Sequence, residues 1–372
     1  MFGLYLHIPF CNCRCYYCDF FSTTEWERIE PYIEALCDEI KERKDYLPTP
    51  VLSTIYFGGG TPSLLSPDWI DRIFATINDC FEIEREAEIT LEANPDDLTP
   101  DYVDRLAQLP FNRISVGIQS FKEKDLQTLN RRHTSAQAVE AVKVCREHGF
   151  SNINIDLMYG LPQQSLDDWA RNLDHTLELK PEHISAYLLT YEEGTVLYKR
   201  LQKREIEGIE EELSLQMYEM LVSRLTKAEY IRYEISNFAK EGRLSRHNSS
   251  YWKGTPYLGV GASAHSYNGF SRQWNVSSLA DYMRESRVGE IEPLDTRTQY
   301  NDYILTRLRT MWGIDTEEIR EKFGEVYTNF CLENASLSIK NELLLVNGNI
   351  IKLSHKGLFV SDGVIMRLLK MS

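Results

Sequence analysis

Apolar residues in the first half of the chain recur in two alternating rhythms. Short runs of strand length sit at Gly3–Ile8, Val51–Phe57, Glu88–Leu91, Arg113–Ile118, Ile153–Leu157 and His183–Leu189. Between them lie segments whose apolar positions recur at helical spacing: Glu25–Lys44, with Tyr32, Ile33, Leu36 and Ile40, then Pro67–Asp79, Asp101–Leu109, Glu123–Leu129, Ala136–His148 and Ser165–Leu179. Ser66 before Pro67 reads as a helix start, because serine caps and proline fits the first helical position. Strand–helix alternation repeated six times calls for a parallel sheet, since each crossover must be long and right-handed. The expectation is an α/β fold with a partial (β/α)6 TIM-like barrel over residues 1–190.

After Leu189 the alternation breaks. Glu205–Lys227 reads as a long amphipathic helix, with Leu213, Met217, Met220, Leu221 and Leu225 on one stripe. Residues 230–280, rich in Tyr, Ser, Asn and Gly, read as strands and loops. Helices are expected at Thr298–Arg309 and Thr316–Phe323, and short strands at Leu343–Val346, Ile350–Leu353 and Phe359–Ser361. Residues 191–292 therefore read as a barrel extension and linker. Residues 293–372 read as a smaller α+β module, winged-helix-like in its mix of elements.

Composition narrows the class. A length of 372 residues with 42% hydrophobic and 26% charged residues suits a large globular core. The net charge of -15 argues against a broad nucleic-acid surface and against docking to an anionic membrane by charge alone. The N-terminus lacks a basic n-region and a small-residue cleavage site, and no apolar run reaches membrane-span length, so a cytoplasmic location is expected. Of eight cysteines, Cys37, Cys80, Cys145 and Cys331 are scattered singly while four cluster within eight residues, which argues against a disulfide framework.

That cluster is Cys11-Asn12-Cys13-Arg14-Cys15-Tyr16-Tyr17-Cys18, directly after the first strand. With Cys13 set aside it reads C-x3-C-x2-C. A structural zinc site wants four closed ligands, usually as two separated pairs, and no second pair follows. Three thiolates on one loop suit an iron–sulfur cluster that keeps one iron open for a small molecule. Other suggestive residues also fall at strand C-terminal ends, the functional rim of such a barrel. Gly58-Gly59-Gly60-Thr61-Pro62 follows the second strand, Glu92 and Gln119 end the third and fourth, and Asp156 lies near the end of the fifth. The glycines admit close backbone approach by a ligand, though a bare glycine run is more often a turn. It matches neither the dinucleotide nor the P-loop pattern. Arg131, Glu92 and Asp156 would singly be read as salt-bridged or solvated residues; their shared rim argues for function.

His7-Ile8-Pro9-Phe10-Cys11, Cys15-Tyr16-Tyr17-Cys18-Asp19-Phe20 and Gly58-Gly59-Gly60-Thr61-Pro62 resemble the radical S-adenosylmethionine (SAM) superfamily, and more narrowly its HemN/HemW branch. The resemblance extends over Gly117–Phe121, Arg131–His133, Asp156–Pro162 and His247-Asn248-Ser249-Ser250-Tyr251-Trp252. It implies that Cys11, Cys15 and Cys18 ligate a [4Fe–4S] cluster whose open iron is chelated by SAM. It implies SAM contacts at Tyr5, Gly59 and Glu92. It further implies that Tyr17, Gly60, Thr61, Gln119, Arg131 and Asp156 match positions holding a second SAM in the HemN enzymes. Those enzymes carry a fourth cysteine two residues after the third, where this chain has Phe20, and an N-terminal extension where this chain begins close to its first strand. Both differences resemble HemW, a haem chaperone, over an oxygen-independent coproporphyrinogen III dehydrogenase; a radical SAM enzyme on another substrate is the third reading.

The HemW resemblance implies haem as cargo, haem-acceptor proteins such as respiratory enzymes as partners, an unidentified electron donor, peripheral membrane contact and a homodimer. The H-N-x-x-Y-W match makes His247 the haem-ligand candidate, with Tyr251 or Trp252 covering a macrocycle face. His265, within Tyr257–Ser266, is its rival. His148 and His175 read as structural or solvated, and Cys13 as a non-ligand. The same residues suit an enzyme and a chaperone.

Overall fold

The computed structural model describes residues 2–284 and 287–371. The first half runs β1 (Gly3–Ile8), α1 (Ile29–Glu42), β2 (Val51–Gly59), α2 (Pro67–Cys80), β3 (Glu82–Ala93), α3 (Pro100–Leu106), β4 (Arg113–Gln119), α4 (Glu123–Thr128), α5 (Ser135–Glu147), β5 (Ile153–Tyr159), α6 (Leu166–Leu179) and β6 (His183–Leu188). There follow α7 (Val196–Gln202), α8 (Glu211–Lys227), β7 (Ile231–Arg232), β8 (Asn237–Ala239), α9 (Arg246–Trp252), β9 (Tyr257–Val260), β10 (His265–Tyr267), β11 (Ser271–Asn275), α10 (Leu279–Tyr282) and β12 (Val288–Pro293). The last stretch holds α11 (Thr296–Arg307), β13 (Ile314–Asp315), α12 (Thr316–Phe323), α13 (Glu325–Lys340), β14 (Leu344–Asn347), β15 (Ile350–Leu353), α14 (His355–Leu358) and α15 (Ser361–Leu368).

One sheet has the order β12-β11-β10-β9-β1-β2-β3-β4-β5-β6-β8-β7, and a second joins β13, β15 and β14. From β1 to β6 each strand pairs in parallel with the next. β9 adds a seventh parallel strand on the free side of β1. This is the partial barrel that the alternation predicts, widened by one strand from the second half of the chain.

Strand alternation sorts the side chains. Ile55, Phe57, Ile89, Leu91, Ile114, Val116, Ile155 and Leu157 turn outward and bury against the helices in the main core. The residues between them turn inward and are mostly polar. The helices are held by buried polar ties as well as packing. Trp169 on α6 donates its indole N–H to the carbonyl of Met217 on α8 at 2.9 Å. Glu39 on α1, fully buried, accepts from Arg43, the Gly261 N–H, Asn275 and Tyr282, fixing β9 and the β11 hairpin against α1.

A separate small core gathers Tyr300, Ile304, Leu308, Ile314, Ile319, Cys331, Leu344, Ile351, Val364 and Leu368. Here the structure departs from the expected elements. Phe359–Ser361 is not a strand but the joint between α14 and α15, because Val364, Ile365 and Leu368 dock a helix into that core. α13 escaped notice because its apolar residues do not form one stripe: Cys331 and Ala335 are buried while Val326, Leu332 and Leu337 are exposed. The expected helix from Glu205 starts only at Glu211, and α7 precedes it. Among the described residues no helix is long and apolar enough to cross a membrane.

Candidate functional site

The cysteine loop leaves β1 at the C-terminal end of the barrel and is held by backbone ties on both flanks. Cys11 N–H donates to the Thr23 carbonyl at 2.9 Å, Tyr16 N–H donates to the Leu129 carbonyl, and the Tyr16 carbonyl accepts from the Leu197 N–H. Asn130 Nδ2 donates to the Arg14 carbonyl at 2.9 Å. Two side chains aim at sulfurs: Thr61 Oγ1 at Cys11 Sγ, 3.4 Å, and Arg131 Nη1 at Cys15 Sγ, 3.3 Å. Burial pushes the Cys11 thiol up and the Cys18 thiol up to about 11. Cys13 is half-buried with its Sγ 3.9 Å from the Asn130 carbonyl.

Below the loop opens a cavity of about 870 Å³. Cys11, Cys15, Cys18, Tyr17, Gly59, Gly60, Thr61, Glu92, Gln119, Arg131 and Asp156 all line it. The cluster and SAM candidates singled out from sequence thus share one space, with Tyr5 as the exception among them; His247 and His265 lie outside its lining. Tyr5 stands behind the wall, stacked on Tyr56 and His247, with its hydroxyl 3.1 Å from His7 Nδ1. His7 Nε2 faces the Phe21 carbonyl at 2.9 Å, so that nitrogen carries the proton and Nδ1 accepts from Tyr5. Burial lowers His7 to about 4, keeping it neutral.

Two glycines are required here by contact. Gly59 has φ 110°, and a Cβ on it would lie 2.6 Å from the His7 ring. A Cβ on Gly60 would lie 2.7 Å from the Pro9 backbone. Beside them Glu92 accepts from Tyr56 Oη at 2.6 Å and from the Gly59 N–H at 3.1 Å. Burial raises its pKa to about 7 against these two bonds, which favour the ionised form. Gln119 ends β4 with φ 68°, where the β4–β5 register slips, and this strained residue faces the cavity. Arg131 ties the rim together, donating to Asn94 Oδ1 and the Gly117 carbonyl.

The lumen beneath was missed from sequence. Arg113, Ser115, Asn154, Ser185 and Tyr56 line the same cavity. Asn154 Nδ2 donates to Ser115 Oγ at 2.7 Å and Asp156 Oδ1 at 2.8 Å. The signal was available: polar residues at every second position of strands that are buried on both faces.

The structure places His247 outside the cavity lining, buried against β2 and α9. It is 1% exposed, with Nδ1 2.8 Å from Thr54 Oγ1 and Nε2 2.7 Å from Tyr251 Oη. Burial lowers it to about 3. An axial haem ligand needs a ring nitrogen open to the macrocycle, and His247 presents none. α9 instead closes the N-terminal end of the barrel, where Glu88 accepts the N–H groups of Arg246 and His247, both at 2.9 Å. His265 is exposed and stacks on Trp274 at 5.8 Å. Phe20 is 68% exposed at the cavity mouth.

These residues fit a four-iron cluster. Among the described residues no three acidic, histidine or thiol groups converge on one ion-binding point. A cluster makes no such demand, because each thiolate takes a different iron of the cube. Fold and mouth together define a radical SAM protein: the superfamily profile matches residues 5–175. Coproporphyrinogen III oxidase (HemN) from Escherichia coli, itself described as a radical SAM enzyme, superposes with TM-score 0.86 over 100% of this chain and 90% of its own, at 24% identity. The heme chaperone HemW of Lactococcus lactis is 34% identical over 98% of this chain and 96% of its own length. HemW of Mycobacterium tuberculosis is 32% identical over 99% and 95%. A bovine mitochondrial radical S-adenosyl methionine domain-containing protein 1 is 30% identical over 99% and 87%. The chain belongs to the HemW family. Superfamily membership implies a [4Fe–4S] cluster and SAM.

Proposed function

We propose that this chain binds haem at the mouth of a barrel bearing the cluster and SAM, and delivers the haem to an acceptor protein. The observation that carries the reading is its likeness, over 98% of the chain, to a protein named heme chaperone HemW. Phe20 supports it, standing exposed where the resemblance places the fourth cysteine of porphyrinogen-oxidising relatives.

Cys11, Cys15 and Cys18 hold the cluster. Tyr5, Gly59 and Glu92 serve SAM, Glu92 by taking its ammonium and Tyr5 from behind, through His7 and Tyr56. Tyr17, Gly60, Thr61, Gln119, Arg131 and Asp156 form the wall that a second SAM would use. When bound, the cluster and SAM supply one-electron chemistry, and the enclosed lumen keeps water from it. His265 is the haem ligand in this reading, because its imidazole is exposed and makes no side-chain hydrogen bond among the described residues. Acceptors in respiration, peripheral membrane contact, a homodimer and a cytoplasmic location belong to the same proposal. So does a division into 1–190, 191–292 and 293–372, supported by the separate small core of residues 300–368.

Haem titration into the reconstituted protein tests the reading. A Soret shift is expected, lost in His265→Ala and kept in His247→Ala. No shift in the wild type sinks the haem function. Anaerobic conversion of coproporphyrinogen III to protoporphyrinogen with SAM and a reductant would assign the oxidative reaction instead.

A further inference from the structure

The lumen holds one cation that the chain leaves unanswered. Arg113 opens β4, is 1% exposed and lines the cavity, yet its Nε and Nη1 have no hydrogen-bond partner among the described residues. An unpaired guanidinium inside a protein is strongly unfavourable unless something meets it. The carboxylates whose ionisation it influences are Glu92 and Asp156. Both are committed elsewhere, Glu92 to Tyr56 and Gly59, and Asp156 to Ser115 and Asn154. Glu88, on the neighbouring strand, caps α9.

Register separates Arg113 from the SAM rim. β4 pairs Ser115 with Glu92 and Arg113 with Thr90. Arg113 is therefore one inward-facing step below Glu92, roughly 7 Å deeper along the strand. The cluster loop lies on the other side of that level, at the C-terminal end of the strands.

We propose that Arg113 anchors a carboxylate-binding subsite in the lumen, beneath the rim that takes SAM. A guanidinium offers paired donors that match a planar carboxylate. A phosphate dianion would meet Glu92 and Asp156 across the same space, whereas a single carboxylate needs only one charge answered. The carboxylate comes either from a small free acid or from an arm of a larger ligand, such as a haem propionate. Only the second source rests on the haem function.

The test uses the full-length, cluster-reconstituted protein and three forms: wild type, Arg113→Gln and Arg113→Lys. Sodium propionate, against chloride at equal ionic strength, should raise the thermal midpoint of the wild type. The rise should vanish in Arg113→Gln and persist in part in Arg113→Lys, which keeps the charge if the glutamine variant folds poorly. No rise in the wild type, or an equal rise in Arg113→Gln, overturns the subsite. So does a loss of SAM affinity in Arg113→Gln matching the loss of the propionate effect, because the carboxylate would then be SAM's own. Haem and haem dimethyl ester separate the sources. If the propionate arm binds here, Arg113→Gln weakens haem roughly tenfold or more and leaves the ester unchanged. If neither changes while the propionate effect holds, the ligand is a free acid. Absence of haem binding in the wild type removes the haem function and leaves the propionate result standing.

Discussion

Tyr56 donates a 2.6 Å hydrogen bond to Glu92, and that bond favours the ionised form of a buried carboxylate at the cavity rim. Burial pushes Glu92 up to about 7 while the tyrosine bond and the Gly59 N–H pull it down. Tyr56 in turn stacks on His247, 4.9 Å between ring centroids. The sealing helix at one end of the barrel is thus in direct contact with the ligand machinery at the other.

A first consequence concerns pH. The ionised form of Glu92 is the one that holds an ammonium, so SAM affinity should rise as pH climbs through about 7. Glu92→Gln should flatten the rise. Tyr56→Phe removes a bond to the charged form, worth ~1.5–3 kcal/mol, and should move the midpoint roughly one to two pH units higher. Stability has the opposite sign: a carboxyl raised in the folded state binds protons that the unfolded chain has lost. Its contribution therefore falls as pH rises from the ordinary carboxylate range to about 7. Calorimetric titration of SAM at several pH values reads the first effect. A midpoint unmoved in Tyr56→Phe would contradict the assignment.

The cluster prediction depends on register within one loop. Cys11→Ala, Cys15→Ala and Cys18→Ala should each abolish the visible absorbance of the reconstituted protein, and Cys13→Ala should retain it. Loss in Cys13→Ala with retention in Cys15→Ala would mean that a different triplet holds the iron.

His247→Ala should act on stability. It strips the Thr54 and Tyr251 hydroxyls of a buried partner and leaves a hole beneath Tyr5 and Tyr56. A cost of roughly 2–4 kcal/mol is expected, read as a lower denaturant midpoint. A variant as stable as the wild type would show that the helix α9 does not seal the barrel through this residue.

Gly59→Ala should damage SAM binding and folding together. The added Cβ meets the His7 ring at 2.6 Å on a backbone at φ 110°. Strain and overpacking of this kind cost roughly 2–4 kcal/mol. Gly149→Ala, also at positive φ but with open space around it, serves as the strain-only comparison. SAM affinity should fall only in the first variant.

Much of the barrel was legible because its strands carry apolar runs that alternate with helices, and α2, α3, α5 and α6 each open on a capping Ser or Thr. Ser66 does accept from the Trp69 N–H, as a cap should. Legibility failed where local pattern and burial part company. α13 carries apolar residues around its circumference, and Phe359–Ser361 combines strand-forming residues with a helix junction. At the H-N-x-x-Y-W stretch, too, burial adds what local pattern does not carry. A histidine beside two aromatics looks the same in sequence whether it faces a macrocycle or fills the end of a barrel.

By itself, the sequence determined the alternation that makes a parallel barrel, the three-thiol loop and the rim on which Glu92, Gln119 and Asp156 fall. Those follow from local spacing, because a strand's period and a loop's length are properties of neighbouring residues. Tertiary structure alone decided that β9 joins β1, that α9 seals the lumen, and that Arg113 lies in it with two nitrogens unanswered. These depend on which distant segments share a desolvated space, and burial decides whether an imidazole is a ligand or a partner, and whether a charge is paired.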